Sequence, residues 1–237
     1  MVARSGDTVR MPANCCCGVD YDALFDDKMA RNDLNAYRRK GVTGQTRRLV
    51  QALKSAGVDG ATLLDIGGGI GAIQLELLAA GASHATDVDA SRAFVATARA
   101  EAERRGYAEL TEYHYGDFVA LADEVPAADI VTLDRVVCCY ADMPALVGAS
   151  VAHARRLYGL IYPVDRWWIR AGARAGNFAL GLFRQSFRFH VHRSAAVDAL
   201  VRARGFERQL VDRGLIWQVA LYRRIRPLSP AVPAEPD

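Results

Sequence analysis

Lysine is nearly missing from this sequence: Lys28, Lys40 and Lys54 are the only three. Arginine carries the rest of the positive charge, as a GC-rich genome produces without any functional cause. Net charge is also scarce, with 30 Lys+Arg against 27 Asp+Glu and a balance of +3. That excludes a strongly cationic nucleic-acid binder, though not a local basic patch, and no nucleic-acid partner is expected. Metal-binding cysteine pairs are absent. The five cysteines form two contiguous groups, Cys15–Cys17 and Cys138–Cys139, with no CxxC. This is neither a zinc site nor a disulfide framework, and no metal is expected. No run of about 18 apolar residues exists to cross a membrane. The first residues, MVARSGDTVRMPAN, lack the apolar stretch of a signal peptide. Together these absences point to a reducing cytoplasm.

What is present fits one α/β domain. The chain has 237 residues, 51% of them hydrophobic, enough to bury a core without a metal or disulfide staple. Residues 1–19 lack periodicity and read as a disordered arm. Residues 20–56 read as a helical cap, with Leu49, Val50 and Leu53 on one helical face. From residue 61, strands and helices alternate, which indicates a parallel sheet. Strands are expected at Thr62–Ile66, 84–89, 110–115, Asp129–Leu133 and Leu157–Tyr162. Helices are expected at Ile70–Ala80, from Ser91 to Arg105, at Met143–Ala154 and at Ser194–Ala203. Strands near Glu207–Asp212 and Ile216–Tyr222 read as an antiparallel hairpin. Residues 163–193 break the alternation and read as a cap insert. Residues 226–237 hold four prolines and read as a disordered tail.

The segment Leu63-Leu64-Asp65-Ile66-Gly67-Gly68-Gly69-Ile70-Gly71 joins a strand to a helix at the carboxyl edge of the sheet, where such folds bind ligands. Gly67 and Gly69 let the backbone turn sharply and approach a ligand, and Gly71 lets the helix start pack closely. Two cofactor readings compete. Gly67, Gly69 and Ala72 match the loose dinucleotide pattern G-x-G-x-x-G/A, which would make this an NAD-binding Rossmann protein. Asp65, however, is a carboxylate just before the turn. It suits a cationic amino-acid moiety and is poor beside a pyrophosphate.

The same stretch resembles motif I of the class I S-adenosylmethionine-dependent methyltransferases, D-x-G-x-G-x-G, at Asp65, Gly67, Gly69 and Gly71. Asp87-Val88-Asp89-Ala90-Ser91 looks like the end of that family's second strand, with Asp89 as the ribose-binding acid. Gly116-Asp117-Phe118 is similar to the segment whose aspartate meets the adenine amino group. Asp129–Tyr140 resembles the fourth strand and the loop over the reacting centre. The resemblance covers about residues 45–225 and implies a Rossmann-like, mostly parallel seven-stranded sheet of order 3-2-1-4-5-7-6. Its strand 7 is antiparallel, and helices lie on both faces. It implies S-adenosylmethionine as cofactor, held by Asp65, Gly67, Gly68, Gly69, Gly71, Asp89, Ala90, Asp117, Phe118 and Asp134. The implied reaction is methyl transfer to a small molecule by in-line displacement. A non-catalytic nucleotide-binding module of the same fold stays open as a second reading.

Asp87 reads as a strand-end residue without a role, and the plain alternative for Asp117 is a helix N-cap. A general base, if the acceptor needs one, is sought at Tyr140 or His190. His190 and His192 alternate as strand residues would, facing opposite ways. Cys138 and Cys139, with Cys15–Cys17 on the arm, raise thiol-assisted metalloid methylation; the alternative is small core hydrophobes. The insert has six arginines and no acid from Arg166 through Val197. Its Trp167, Trp168 and Phe178 are expected to meet Tyr21, Phe25 and Tyr37 over the cofactor, forming a pocket for an aromatic or acidic acceptor. If the tryptophans point away from the glycine turn, residues 166–184 become a membrane or partner surface.

Overall fold

A computed structural model of the chain describes residues 19–225. The expected arm lies outside these residues except for Val19, and the proline-rich tail lies outside them entirely. Three helices come first: α1 (Tyr21–Leu24), α2 (Asp27–Lys40) and α3 (Gly44–Ser55). Asp20 and Asp26 cap the first two, each accepting a hydrogen bond from a backbone N–H three residues on.

The alternating part follows as β1 (Thr62–Ile66), α4 (Ala72–Leu78), β2 (His84–Asp89), α5 (Arg92–Arg104), β3 (Thr111–Tyr115), α6 (Phe118–Leu121), β4 (Ala128–Asp134), α7 (Met143–His153) and β5 (Ala154–Pro163). Then come α8 (Trp167–Leu182), α9 (Ser194–Ala203), β6 (Phe206–Arg213) and β7 (Trp217–Arg224). The sheet order is β3-β2-β1-β4-β5-β7-β6. β1 to β5 pair in parallel, and β7 runs antiparallel to both β5 and β6. This is the Rossmann-like methyltransferase fold that the sequence resemblance implies.

Alternation along each strand sends side chains to two cores. Leu63, Ile130, Leu157, Ile161 and Val219 pack with Leu49, Leu53 and Leu77 of α3 and α4. Leu64, Val131, Leu133, Tyr158, Leu160 and Tyr222 pack with Leu146, Val147, Val151 and Val201 of α7 and α9. Gly159 permits the close fit of α3 on β5, because a Cβ there would stand 2.8 Å from Leu49 Cδ1. α2 is held against α5 by Glu101, whose fully buried carboxylate takes hydrogen bonds from Arg38, Arg104 and Arg105 at 2.6 to 3.1 Å. These three guanidinium groups hold its carboxyl far below the usual range, against the opposing effect of burial.

The insert between β5 and α9 is closed at its base. Asp165 accepts hydrogen bonds from Ser194 N and Oγ at 3.1 and 3.0 Å. Within it, Asn177 of α8 bonds both the N–H and the carbonyl of Phe189 at 2.8 Å, folding residues 185–193 back along the helix. His190 N donates to Cys138 O at 2.7 Å, and a ring nitrogen of His192 lies 3.0 Å from Tyr140 O. The return segment is irregular, not a strand. The two histidine rings therefore stack at 5.7 Å instead of facing opposite ways.

Candidate functional site

The turn after β1 owes its shape to three left-handed glycines, Gly67, Gly69 and Gly71, at φ of 64°, 60° and 75°. A Cβ on Gly67 would overlap Val136 of the loop after β4, and one on Gly68 would overlap the Asp87 carboxylate. At Gly69 it would meet only Phe94 at 3.6 Å. Carboxylates hold the turn in place: Gly68 N donates to Asp87 at 3.2 Å and Gly69 N to Asp89 at 3.0 Å. Asp89 also accepts from Ser91 N at 2.8 Å. Ser91 in turn caps α5 and donates its hydroxyl to Phe25 O. Asp87 thus has a role that its sequence position did not suggest. It is an inward-facing residue of a strand buried on both faces.

Asp65 and Asp87 are buried side by side, and Asp89 stands next to them at the cavity wall. Asp65 is 1% exposed and accepts from Thr132 Oγ1 at 2.6 Å and Gln74 Nε2 at 3.4 Å. Burial, reinforced by Asp134 and Asp89, pushes its carboxyl up to about 7. Burial also raises Asp87 well above the ordinary range, with Asp89 and Asp65 adding to it, and raises Asp89. One oxygen of Asp87 is buried without a hydrogen-bond partner among the described residues. Three clustered carboxylates with no cationic side chain among the described residues bonded to them form a site complementary to a cation.

The turn opens into a cavity of about 610 Å³ along the carboxyl edge of the sheet, a size typical of small-molecule sites. Gly67, Gly68, Gly69, Asp65, Asp89, Ala90, Asp117, Phe118 and Asp134 all line it; Gly71 sits behind the turn and does not. Asp117 is an N-cap, accepting from Val119 N at 3.0 Å, and it also accepts from Tyr140 OH at 3.0 Å. The Tyr140 hydroxyl, expected as a base, is therefore donated to Asp117. Asp134 accepts from Thr46 Oγ1 at 2.6 Å and from Arg135 Nε at 2.9 Å. Arg135 is a non-glycine residue at φ 63°, pinned by its N–H to Ile161 O. Nothing in the sequence marked that backbone position.

α1 and α2 roof the cavity. Tyr21 donates to Cys139 O at 3.0 Å, and Asp22 is bound by Arg92 N and Tyr115 OH. Tyr37 is buried, its hydroxyl pushed up to about 12 chiefly by that burial, and lies 3.3 Å from Glu76. Tyr21, Phe25 and Tyr37 line the cavity as expected. Trp167, Trp168, Phe178 and His190 do not, and the expectation of a two-sided cap is corrected on that point. Trp168 instead borders a shallow hollow between α8 and Phe189, and Trp167 projects into solvent. The insert's arginines leave with its tryptophans, so the cationic side chains lining the cavity are Lys40 and Arg135. Cys138 is buried, its thiol pushed up by its hydrogen bond to Cys139 and by burial, with the two sulfurs 3.9 Å apart. Only Cys139 of the pair lines the cavity, and Cys15–Cys17 lie outside the described residues.

A glycine turn flanked by Asp65 and Asp89, on a sheet of this order, defines the class I methyltransferase fold. Residues 64–156 match the model of a family described as a methyltransferase domain. Among solved structures, the chain is similar to magnesium protoporphyrin IX methyltransferase (ChlM) from Synechocystis PCC 6803 with bound SAH. The two are 19% identical over 86% of this chain and 100% of that one, with a TM-score of 0.63. An O-methyltransferase family protein from Burkholderia thailandensis is 16% identical over 85% of this chain and 61% of that one, with a TM-score of 0.62. The [4+2]-cyclase SpnF is 16% identical over 77% of this chain and 81% of that one, with a TM-score of 0.59. At these identities the likeness is one of fold. No curated protein matches the chain in sequence.

Proposed function

We propose that the protein transfers a methyl group from S-adenosylmethionine to a small-molecule acceptor bound under α1 and α2. The observation that carries this reading is the pair Asp65 and Asp89 lining the cavity at the glycine turn, with buried Asp87 behind them, a cation-complementary setting that a dinucleotide pyrophosphate would not suit. The cradle fits the cofactor: side chains are excluded at Gly67 and Gly68, and the backbone there is open to the cavity. Asp65 and the Gly67–Gly69 backbone would hold its amino-acid end, Asp89 and Ala90 its ribose, and Asp117 and Phe118 its adenine, with Asp134 beside the amino-acid end. The bound cofactor supplies an activated sulfonium methyl.

The chain's own part is orientation and exclusion of water, an effect worth several kcal/mol. The acceptor would be held by Tyr21, Phe25, Met29 and Tyr37, with Asp33, Lys40 and Arg135 as its polar contacts. Such walls favour a partly aromatic acceptor, and the two cations accommodate an acidic group on it. Tyr140 lines the cavity with its hydroxyl donated to Asp117, and His190 lies outside the lining, which favours an acceptor atom that needs no base or that uses Asp33. Burial raises the Asp33 carboxyl while Arg135 opposes the shift.

Titration calorimetry with S-adenosylhomocysteine and with NAD tests the cofactor. Binding of the former alone is expected; binding of NAD alone overturns the reading. The fold's occurrence in a [4+2]-cyclase favours keeping a second reading, a bound nucleotide without methyl transfer. Incubation of labelled S-adenosylmethionine with metabolite extract separates the two, since only the leading reading yields a labelled product.

A further inference from the structure

A surface helix normally turns its apolar stripe inward and its polar residues to water. α8 departs from this by carrying large apolar side chains on its outer side as well, and none of its residues is buried. Ile169, Ala173, Asn177 and Leu180 are half-buried and face the hollow beside Phe189. The other side carries Trp167, Ala171, Arg174, Phe178 and Leu182 at helical spacing. Trp167 is 76% exposed, Phe178 71%, Leu182 70% and the adjoining Phe183 78%. Large exposed hydrophobics are otherwise scattered, but five of the ten among the described residues (Trp167, Trp168, Phe178, Leu182 and Phe183) lie in this stretch. Leu215 and Ile216, also exposed, sit on the β6–β7 turn, which the bond from Val164 N to Ile216 O ties to the approach to α8. A concentration of this kind marks an interaction surface.

The charge around it identifies what the surface fits. Arg174 lies within the stripe, Arg166, Arg170 and Arg184 lie at or beside the ends and flank of the same helix, Arg188 and Arg193 follow in the return segment, and no Asp or Glu occurs from residue 166 through 197. Among the described residues only Arg170 has a carboxylate partner, Asp165 at 3.7 Å. A second copy of the same face would bring arginines against arginines. Tryptophan, phenylalanine and leucine along one side, rimmed by arginine, match an interfacial helix on anionic lipid. No described helix is long and apolar enough to cross a membrane, so the geometry is that of lying on one.

We propose that α8 docks this protein on an anionic membrane surface. Trp167, Phe178, Leu182 and Phe183 enter the boundary between headgroups and acyl chains, and the arginines meet lipid phosphates. The Asp165–Ser194 latch and the Asn177–Phe189 bonds present the helix as a fixed element. Because β5 leads into α8 from its carboxyl end, the docking helix begins at the cavity-bearing edge of the sheet. The inference stands independently of the reaction.

Co-sedimentation of the full chain with phosphatidylcholine vesicles, with and without phosphatidylglycerol, tests it. Binding is expected only with the anionic lipid, weakening as salt is raised. The combined variant Trp167→Ser, Phe178→Ser, Leu182→Ser should bind at least about tenfold more weakly, since each buried apolar side chain contributes to partitioning. Its melting temperature should be unchanged, because the three side chains are exposed. As a readout on the unmutated stripe, brominated lipid should quench a chain that keeps Trp167 and carries Trp168→Phe and Trp217→Phe. No binding to anionic vesicles, equal binding by the combined variant, or no quenching of Trp167 overturns the proposal. So does a self-associating wild-type chain that the combined variant renders monomeric, or binding only to an acidic protein.

Discussion

Asp65 is the residue at which stability and binding pull apart. Its carboxyl goes from 3.8 unfolded to about 7 folded, so the folded state disfavours its charge. The penalty is absent below the unfolded value, grows as pH rises, and is complete above about 7. Asp65→Asn should therefore raise the melting temperature of the ligand-free protein at pH 8 and leave it nearly unchanged at pH 4. A cationic ligand reverses the balance, so wild-type affinity for S-adenosylmethionine should improve as pH rises through 7, and the Asn variant should lose both affinity and that pH dependence in calorimetry. The turn glycines allow a graded test by denaturant titration. Gly67→Ala meets a positive φ and Val136 together and should cost about 2–4 kcal/mol. Gly69→Ala meets the φ alone and should cost about 1–2 kcal/mol. Asp65, Asp89 and Asp117 were legible in the sequence because each stands at a motif position. Asp87 and Arg135 were not, because their roles depend on what a strand buries and on how a loop is pinned.

Among the elements, α2 is tied to α5 by apolar packing and by one carboxylate. Glu101 is buried while Arg38, Arg104 and Arg105 stay partly in water, so its removal strands no buried cation. Glu101→Ala should cost about 1–3 kcal/mol in denaturant titration. The contribution is present above the unfolded value of 4.5 and is lost as pH falls below it, because the folded carboxyl titrates far lower. Arg38→Ala should leave stability closer to wild type but weaken ligand binding, since it loosens the roof and spares the sheet. Strand and helix positions were readable to within a few residues wherever apolar runs alternated with glycine and cap signals, as at His84–Asp89 and Ser194–Ala203. The insert was misread because a helix with an apolar stripe and arginines announces that it wants a partner, not which way it faces. Asn177 and Asp165 decide that direction through long-range bonds. No local periodicity shows such bonds.

At the scale of the molecule, the sheet brings the ends of β1, β2 and β4 side by side, so Asp65, Asp89 and Asp134 converge on one cavity although they are far apart in the chain. The alternation of strands and helices was enough to read a parallel sheet. The order of its strands came only with the motif resemblance, because strand pairing is not written in any one segment. The reversed β7 pairs with β5 and carries β6 as the outer strand. We propose that the carboxyl edge of the sheet binds S-adenosylmethionine through Asp89 and the glycine turn. Calorimetric titration of wild-type and Asp89→Ala protein with S-adenosylhomocysteine tests it most directly. The variant is expected to fold and its affinity to fall about ten- to hundredfold, from the loss of a charged acceptor for ribose hydroxyls. Equal affinity in the two proteins would contradict it.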